Sequence, residues 1–145
     1  MRYTKVSKNN IDFFKKNLDE NCVLFDSENL NEYSTDYTED LIFSPEVVLK
    51  PKSSEQVSMI LKYCNKVNIP VTPCGARTGL SGGSLPLFGG VALSLENLNK
   101  ILEIDERNLQ ATVEPGVINQ KFRDAVEDKK LFYPPDPASK GSCFL

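Results

Sequence analysis

From Pro73 to Pro86 the chain reads Pro-Cys-Gly-Ala-Arg-Thr-Gly-Leu-Ser-Gly-Gly-Ser-Leu-Pro, with four glycines (Gly75, Gly79, Gly82, Gly83) around a single charge, Arg77. Glycine leaves the backbone free in its path and lets a ligand come within van der Waals reach, so successive N–H groups of such a segment can converge on an anion. A dinucleotide diphosphate is the natural guest. The competing reading is a tight surface turn that binds nothing, although turns seldom need so many permissive positions in a row. Thr78 and Ser81 either bond phosphate or ribose oxygens or satisfy neighbouring backbone groups. The loop is not a Walker loop, because Gly-Lys-Ser and Gly-Lys-Thr are absent, and its spacing does not fit Gly-x-Gly-x-x-Gly. Pro86 and Gly89-Gly90 also argue against the apolar helix that a Rossmann loop would open.

What the chain lacks narrows the chemistry. With 0 histidines, neither a Ser-His nor a Cys-His nucleophile pair can form, and the usual zinc sets are missing. Any reaction must be run by a bound cofactor or by residues outside this chain. Cys22, Cys64, Cys74 and Cys143 contain no Cys-x-x-Cys pair and are expected as reduced thiols. A net charge of −3 with no basic block argues against a nucleic-acid partner. No apolar run approaches the roughly 20 residues of a membrane span, and the N-terminal Met-Arg-Tyr-Thr-Lys lacks a signal-peptide core, so a cytoplasmic location is expected.

The elements that must position the loop are legible in part. Asn9 or Asn10 is the expected cap of a short helix over residues 9–20, with Ile11, Phe14 and Leu18 on one face. Residues 26–44 read as polar and irregular. Val47-Val48-Leu49 reads as a buried strand ending at Pro51. Ser53 and Gln56 then form a capping box for a helix whose Val57, Ile60, Leu61 and Cys64 fall on one face, and Asn68 and Pro70 end it. Val71-Thr72-Pro73 is the strand that feeds the loop, parallel to the first by the right-handed crossover rule. Val91–Leu95 reads as a strand with alternating inward and outward positions. Ile101–Ile104 and Ala111–Glu114 follow as strands around a polar turn, and Asn119 is the expected cap of a helix with Phe122, Ala125 and Val126 on one face and Lys129-Lys130 at its end.

Several separated segments resemble one family, the FAD-linked oxidases of the glycolate oxidase and D-lactate dehydrogenase type, relatives of the vanillyl-alcohol oxidase group. The resemblance lies in Tyr33-Ser34-Thr35-Asp36, in Pro73–Gly83 against the common Pro-Arg-Gly-x-Gly-Thr-Gly-Leu-Ser-Gly-Gly, and in Val91–Leu95 and Ile101–Asp105. It continues in Val113–Val117 and in Pro134-Pro135-Asp136-Pro137-Ala138-Ser139. Two positions depart from the pattern: Cys74 stands where arginine is common, and Arg77 where glycine is. Arg77 either adds a charge-assisted bond to phosphate or sits strained at positive φ.

The resemblance implies an α+β fold, the N-terminal part of a PCMH-type FAD-binding domain with a small mixed sheet and flanking helices. Residues 1–40 would be a helical and irregular extension, and residues 41–145 the FAD-binding domain, truncated at its C-terminal end. Ser142-Cys143-Phe144-Leu145 end where the family normally continues into Gly-Gly-Asn. FAD would be held by Pro73, Cys74, Gly75, Ala76, Arg77, Thr78, Gly79, Leu80, Ser81, Gly82 and Gly83. Pro115, Gly116 and Val117, and Pro135, Asp136, Ser139 and Ser142, would complete the contacts. No catalytic residue is assigned: base, arginines and any metal ligands would lie outside this chain. Cys143 is expected to be a buried structural thiol rather than a redox centre or flavin anchor, and Asp36 and Glu114 to be ordinary polar residues. The function implied is oxidation of a small 2-hydroxy acid, glycolate or D-lactate in class, with hydride passing to the flavin and electrons to an unspecified acceptor. The alternatives are a remnant that does not retain FAD, and a module for ATP or NAD.

Overall fold

The computed structural model describes residues 3–145, in the order α1 (Lys8–Asn17), β1 (Val23–Leu24), α2 (Ser27–Glu32), β2 (Val47–Leu49), α3 (Ser54–Val67), β3 (Val71–Cys74), β4 (Val91–Ser94), β5 (Ile101–Asp105), β6 (Gln110–Val113) and α4 (Asn119–Glu127). A four-stranded sheet runs β1-β2-β4-β3, with β4 parallel to both its neighbours and β1 antiparallel at one edge. Strands β2 and β3 therefore share a direction, as the strand-helix-strand reading requires. They do not touch, because β4 lies between them.

That central place explains a difference from the expected alternation. All four β4 residues are buried, as are all three of β2, because a parallel strand covered on both faces has no solvent side. On one face Val47, Leu49, Val91 and Leu93 pack with Phe14, Leu18, Ile60 and Cys64 from the helices. On the other, Val48 and Ala92 pack with Tyr33 and Cys74. A separate hairpin, β5–β6, packs with α4 around Val117, Phe122 and Val126. The result is mixed α+β.

Local signals set both ends of α3, and the other helix ends need correction. Helix α3 begins as read: the Ser53 hydroxyl accepts from the Gln56 N–H, while the Gln56 side-chain Oε1 accepts from the Lys52 N–H, one residue outside the usual box. Asn68 ends it in the left-handed conformation. Leu61 lies exposed, and Met59, Tyr63 and Val67 join the core contacts instead. The cap of α1 is Ser7, not Asn9 or Asn10; Asn10 reaches back to accept from Ser7. The cap of α4 is Ile118, Asn119 is its first residue, and Lys129 and Lys130 fall beyond its end. Residues 26–44 contain helix α2, capped by Asp26. Residues 3–40 are not peripheral to the fold: they supply β1, Phe14, Leu18 and Tyr33.

Candidate cofactor-binding site

The glycine loop leaves the C-terminal end of β3 beside the C-terminal end of β4, the edge of a parallel sheet where ligands characteristically bind. Among the described residues, the N–H groups of Gly75, Ala76, Arg77, Thr78, Gly79, Leu80, Ser81 and Gly83 make no protein hydrogen bond. A methyl group added at Gly79 or Gly83 would meet nothing within 4 Å, so this side of the loop is open. Gly82, at φ +67°, makes the turn that L side chains resist. A donor-rich, open backbone of this kind fits a diphosphate.

What holds the loop is the segment after α2, which the sequence reading left as ordinary. The Tyr37 N–H donates to the Gly79 carbonyl at 3.1 Å, and the Gly82 N–H donates to the Thr38 hydroxyl at 2.7 Å. Asp36 accepts from the Thr38 N–H at 2.8 Å and from the Ser84 hydroxyl at 3.3 Å. Asp36 is thus a brace. The Tyr33-Ser34-Thr35-Asp36 string was a signal for it, but no spacing rule could pair it with residues more than 40 positions away.

Beneath the loop lies a polar cluster, buried at Tyr33 and Ser94 and half-buried at Lys50 and Glu96, that sequence reasoning did not assemble. The Tyr33 hydroxyl donates to Glu96 Oε2 at 2.8 Å, the Ser94 hydroxyl donates to the same oxygen at 2.9 Å, and Lys50 Nζ lies 2.9 Å from Oε1. Burial works to raise the Glu96 pKa, but the hydrogen bonds from Lys50, Tyr33 and Ser94 outweigh it and hold the carboxyl below its ordinary range. Burial pushes the Tyr33 hydroxyl up. Arg77 sits over this cluster, its Cζ 4.0 Å from the Tyr33 ring centroid and its Nη2 2.7 Å from Glu32 Oε1. Its backbone is at φ +55°, the strained alternative raised above.

The remaining predicted residues are placed as follows. The Cys74 side chain is fully buried and its thiol donates to the Ser84 carbonyl, tying the two ends of the loop; burial pushes its pKa up to about 11 against the pull of Arg77. Pro73, Leu80 and Ser81 are exposed, while Ala76 and Thr78 are half-buried. Gly116 packs against the β4–β5 turn, its N–H donating to the Leu98 carbonyl at 2.7 Å; Val117 is buried and Pro115 exposed. Asp136 pairs with Arg123 and Lys140, and the Lys140 bond leads in holding its carboxyl below the usual range. Pro135 is exposed, and the Ser142 hydroxyl donates to the Ser139 carbonyl. The last residues join the two regions: Leu145 donates to Val117, and Phe144 Cδ2 lies 3.8 Å from where a Gly75 Cβ would stand. Glu114 accepts from the Lys100 N–H, an ordinary structural role. Cys143 is half-buried rather than buried, and all four cysteines are free thiols.

A family model described as an FAD binding domain matches residues 45–145. The chain belongs to this FAD-binding family. FAD is accordingly its cofactor class. Glycolate oxidase subunit GlcD of Bacillus subtilis is 45% identical over 117 residues, which cover 79% of this chain and 25% of that protein. D-lactate dehydrogenase of Anaerostipes hadrus is 38% identical over 144 residues, 96% of this chain and 29% of that protein. Among solved structures, 4-ethylphenol oxidase from Gulosibacter chungangensis superposes with a TM-score of 0.83 at 31% identity, covering 98% of this chain and 29% of that one. The chain spans between a quarter and a third of the length of these relatives. No helix among the described residues is long and apolar enough to cross a membrane.

Proposed function

We propose that this chain forms the diphosphate-gripping part of an FAD-dependent oxidoreductase that oxidises a small 2-hydroxy acid of the glycolate or D-lactate class. The observation that carries the reading is the run of unpaired amides from Gly75 to Ser81, braced by Tyr37 and Thr38 and open on its outer side. Bound flavin accepts hydride; this chain's residues hold and orient it. Gly75, Ala76, Arg77, Thr78, Gly79, Leu80, Ser81 and Gly83 would cradle the diphosphate mainly through backbone, with Gly82 making the turn that sets their path and the Thr78 and Ser81 hydroxyls free to bond phosphate or ribose. Pro73 and Cys74 deliver the chain into the cradle. Pro115, Gly116, Val117, Pro135, Asp136, Ser139 and Ser142 would act as the supporting wall, joined to the loop through Phe144. The names of the relatives support the hydroxy-acid class.

One observation favours a second reading, in which this chain alone retains FAD poorly. An apolar groove of about 580 Å³ between β5–β6 and α4 is lined by Ile104, Val113, Phe122, Val126 and Tyr133, and Leu109 and Phe132 at its rim are more than 70% exposed. Further polypeptide covering it would complete the domain. Calorimetric titration with FAD, ATP and NAD, followed by desalting and a visible spectrum, separates the readings. FAD bound in preference to ATP and retained through desalting is the expected result for the first; a colourless protein indifferent to FAD supports the second, and a preference for ATP or NAD refutes both.

A further inference from the structure

We propose that Arg77 is a positioning residue, whose guanidinium, stacked on Tyr33 and paired with Glu32, clamps the glycine loop in the bent path that presents its amides. The inference takes its ligand from the FAD reading above; the clamp itself stands on geometry.

Arg77 holds a left-handed backbone, φ +55°, which a residue with a Cβ adopts at a cost and keeps only when its surroundings over-determine it. Those surroundings are visible. Its side chain is only 18% exposed, with Cζ 4.0 Å from the Tyr33 centroid and Nη2 2.7 Å from Glu32. Tyr33 is itself anchored: the ring is fully buried and its hydroxyl is bonded to Glu96 just beyond β4. A continuous set of contacts therefore runs from the sheet through Tyr33 into the middle of the loop. Tyr37 and Thr38 hold the loop further on, at Gly79 and Gly82. The amides of Arg77 and Thr78 lie between these anchors.

Glycine at position 77 would adopt the same φ without strain but would give up the Tyr33 and Glu32 contacts, leaving residues 76–78 without a side-chain anchor between Gly75 and Gly79. Arginine thus exchanges local strain for preorganisation, which is what reduces the entropic cost of binding. Its charge is already spent on Glu32. The broad guanidinium contact over the Tyr33 ring face, rather than charge, distinguishes it from lysine at this place.

The test uses the whole chain as wild type, R77G, R77K and E32Q, with FAD titrated calorimetrically and ¹⁵N relaxation of the amides of residues 75–81 measured without FAD. R77G is expected to lower FAD affinity about tenfold and to increase fast motion of those amides while α3 is unchanged. R77K is expected to show most of the R77G drop in affinity, and E32Q a drop of about twofold. R77G binding FAD as tightly as wild type with an equally rigid loop overturns the clamp. Tighter binding by E32Q also overturns it, because Arg77 would then be a phosphate ligand held in reserve. If wild type takes up no FAD, the cofactor reading fails on its own, and the relaxation data still decide: a loop no more mobile in R77G than in wild type overturns the clamp.

Discussion

Tyr33→Phe removes one hydroxyl from a fully buried ring, keeps the stacking surface under Arg77, and deletes the 2.8 Å bond to Glu96. A hydrogen bond to a charged group contributes roughly 1.5–3 kcal/mol, against roughly 0.5–1.5 kcal/mol between neutral groups. The Glu96 side chain is 35% exposed, which places its bond near the lower end of the charged range, about 2 kcal/mol. The sign with pH follows from the direction of the Glu96 shift. Its folded pKa is depressed, so its stabilising contribution is complete above the unfolded value, about 4.3 for a glutamate. It is lost as pH falls through the folded value. Urea unfolding followed by circular dichroism should therefore show Tyr33→Phe less stable by about 2 kcal/mol at pH 7, with the loss shrinking as the pH falls through the depressed Glu96 value and m unchanged. A Tyr33→Phe loss at pH 7 no larger than the roughly 0.5 kcal/mol of a weak neutral bond would refute the account, since it would mean that the hydroxyl does not interact with an ionised Glu96.

Gly116→Ala should destabilise the chain by about 3 kcal/mol or more, because the new Cβ would stand 2.4 Å from the Leu95 carbonyl oxygen and 2.8 Å from that of Leu98; unchanged thermal unfolding would contradict this packing. Gly79→Ala has open space around its Cβ and should shift stability by less than about 0.5 kcal/mol while weakening FAD binding, which calorimetry and unfolding measure separately. Asp36→Ala releases the Thr38 N–H and the Ser84 hydroxyl and should cost about 1 kcal/mol, with FAD affinity falling alongside. Native-state alkylation followed by mass mapping should label Cys143 first and leave Cys64 and Cys74 intact, because those two are buried with thiols pushed up to about 11.

Local chemistry alone determined a good deal here. The Ser53 cap, the apolar face containing Ile60 and Cys64, and the Asn68 stop all act within one turn of the chain, so α3 was readable to within a residue. The loop declared itself by composition, since an open run of amides needs small residues wherever it is placed. Its partners did not. That β4 enters between β2 and β3, that Thr38 and Asp36 brace a loop more than 40 residues ahead, and that Tyr33, Lys50, Ser94 and Glu96 form one cluster are contacts between distant positions. No periodicity encodes them. Arg77 shows the division most plainly: its sequence offered a phosphate contact or a strained backbone, and only the folded chain, by setting Glu32 and Tyr33 beside it, decided where the charge is spent.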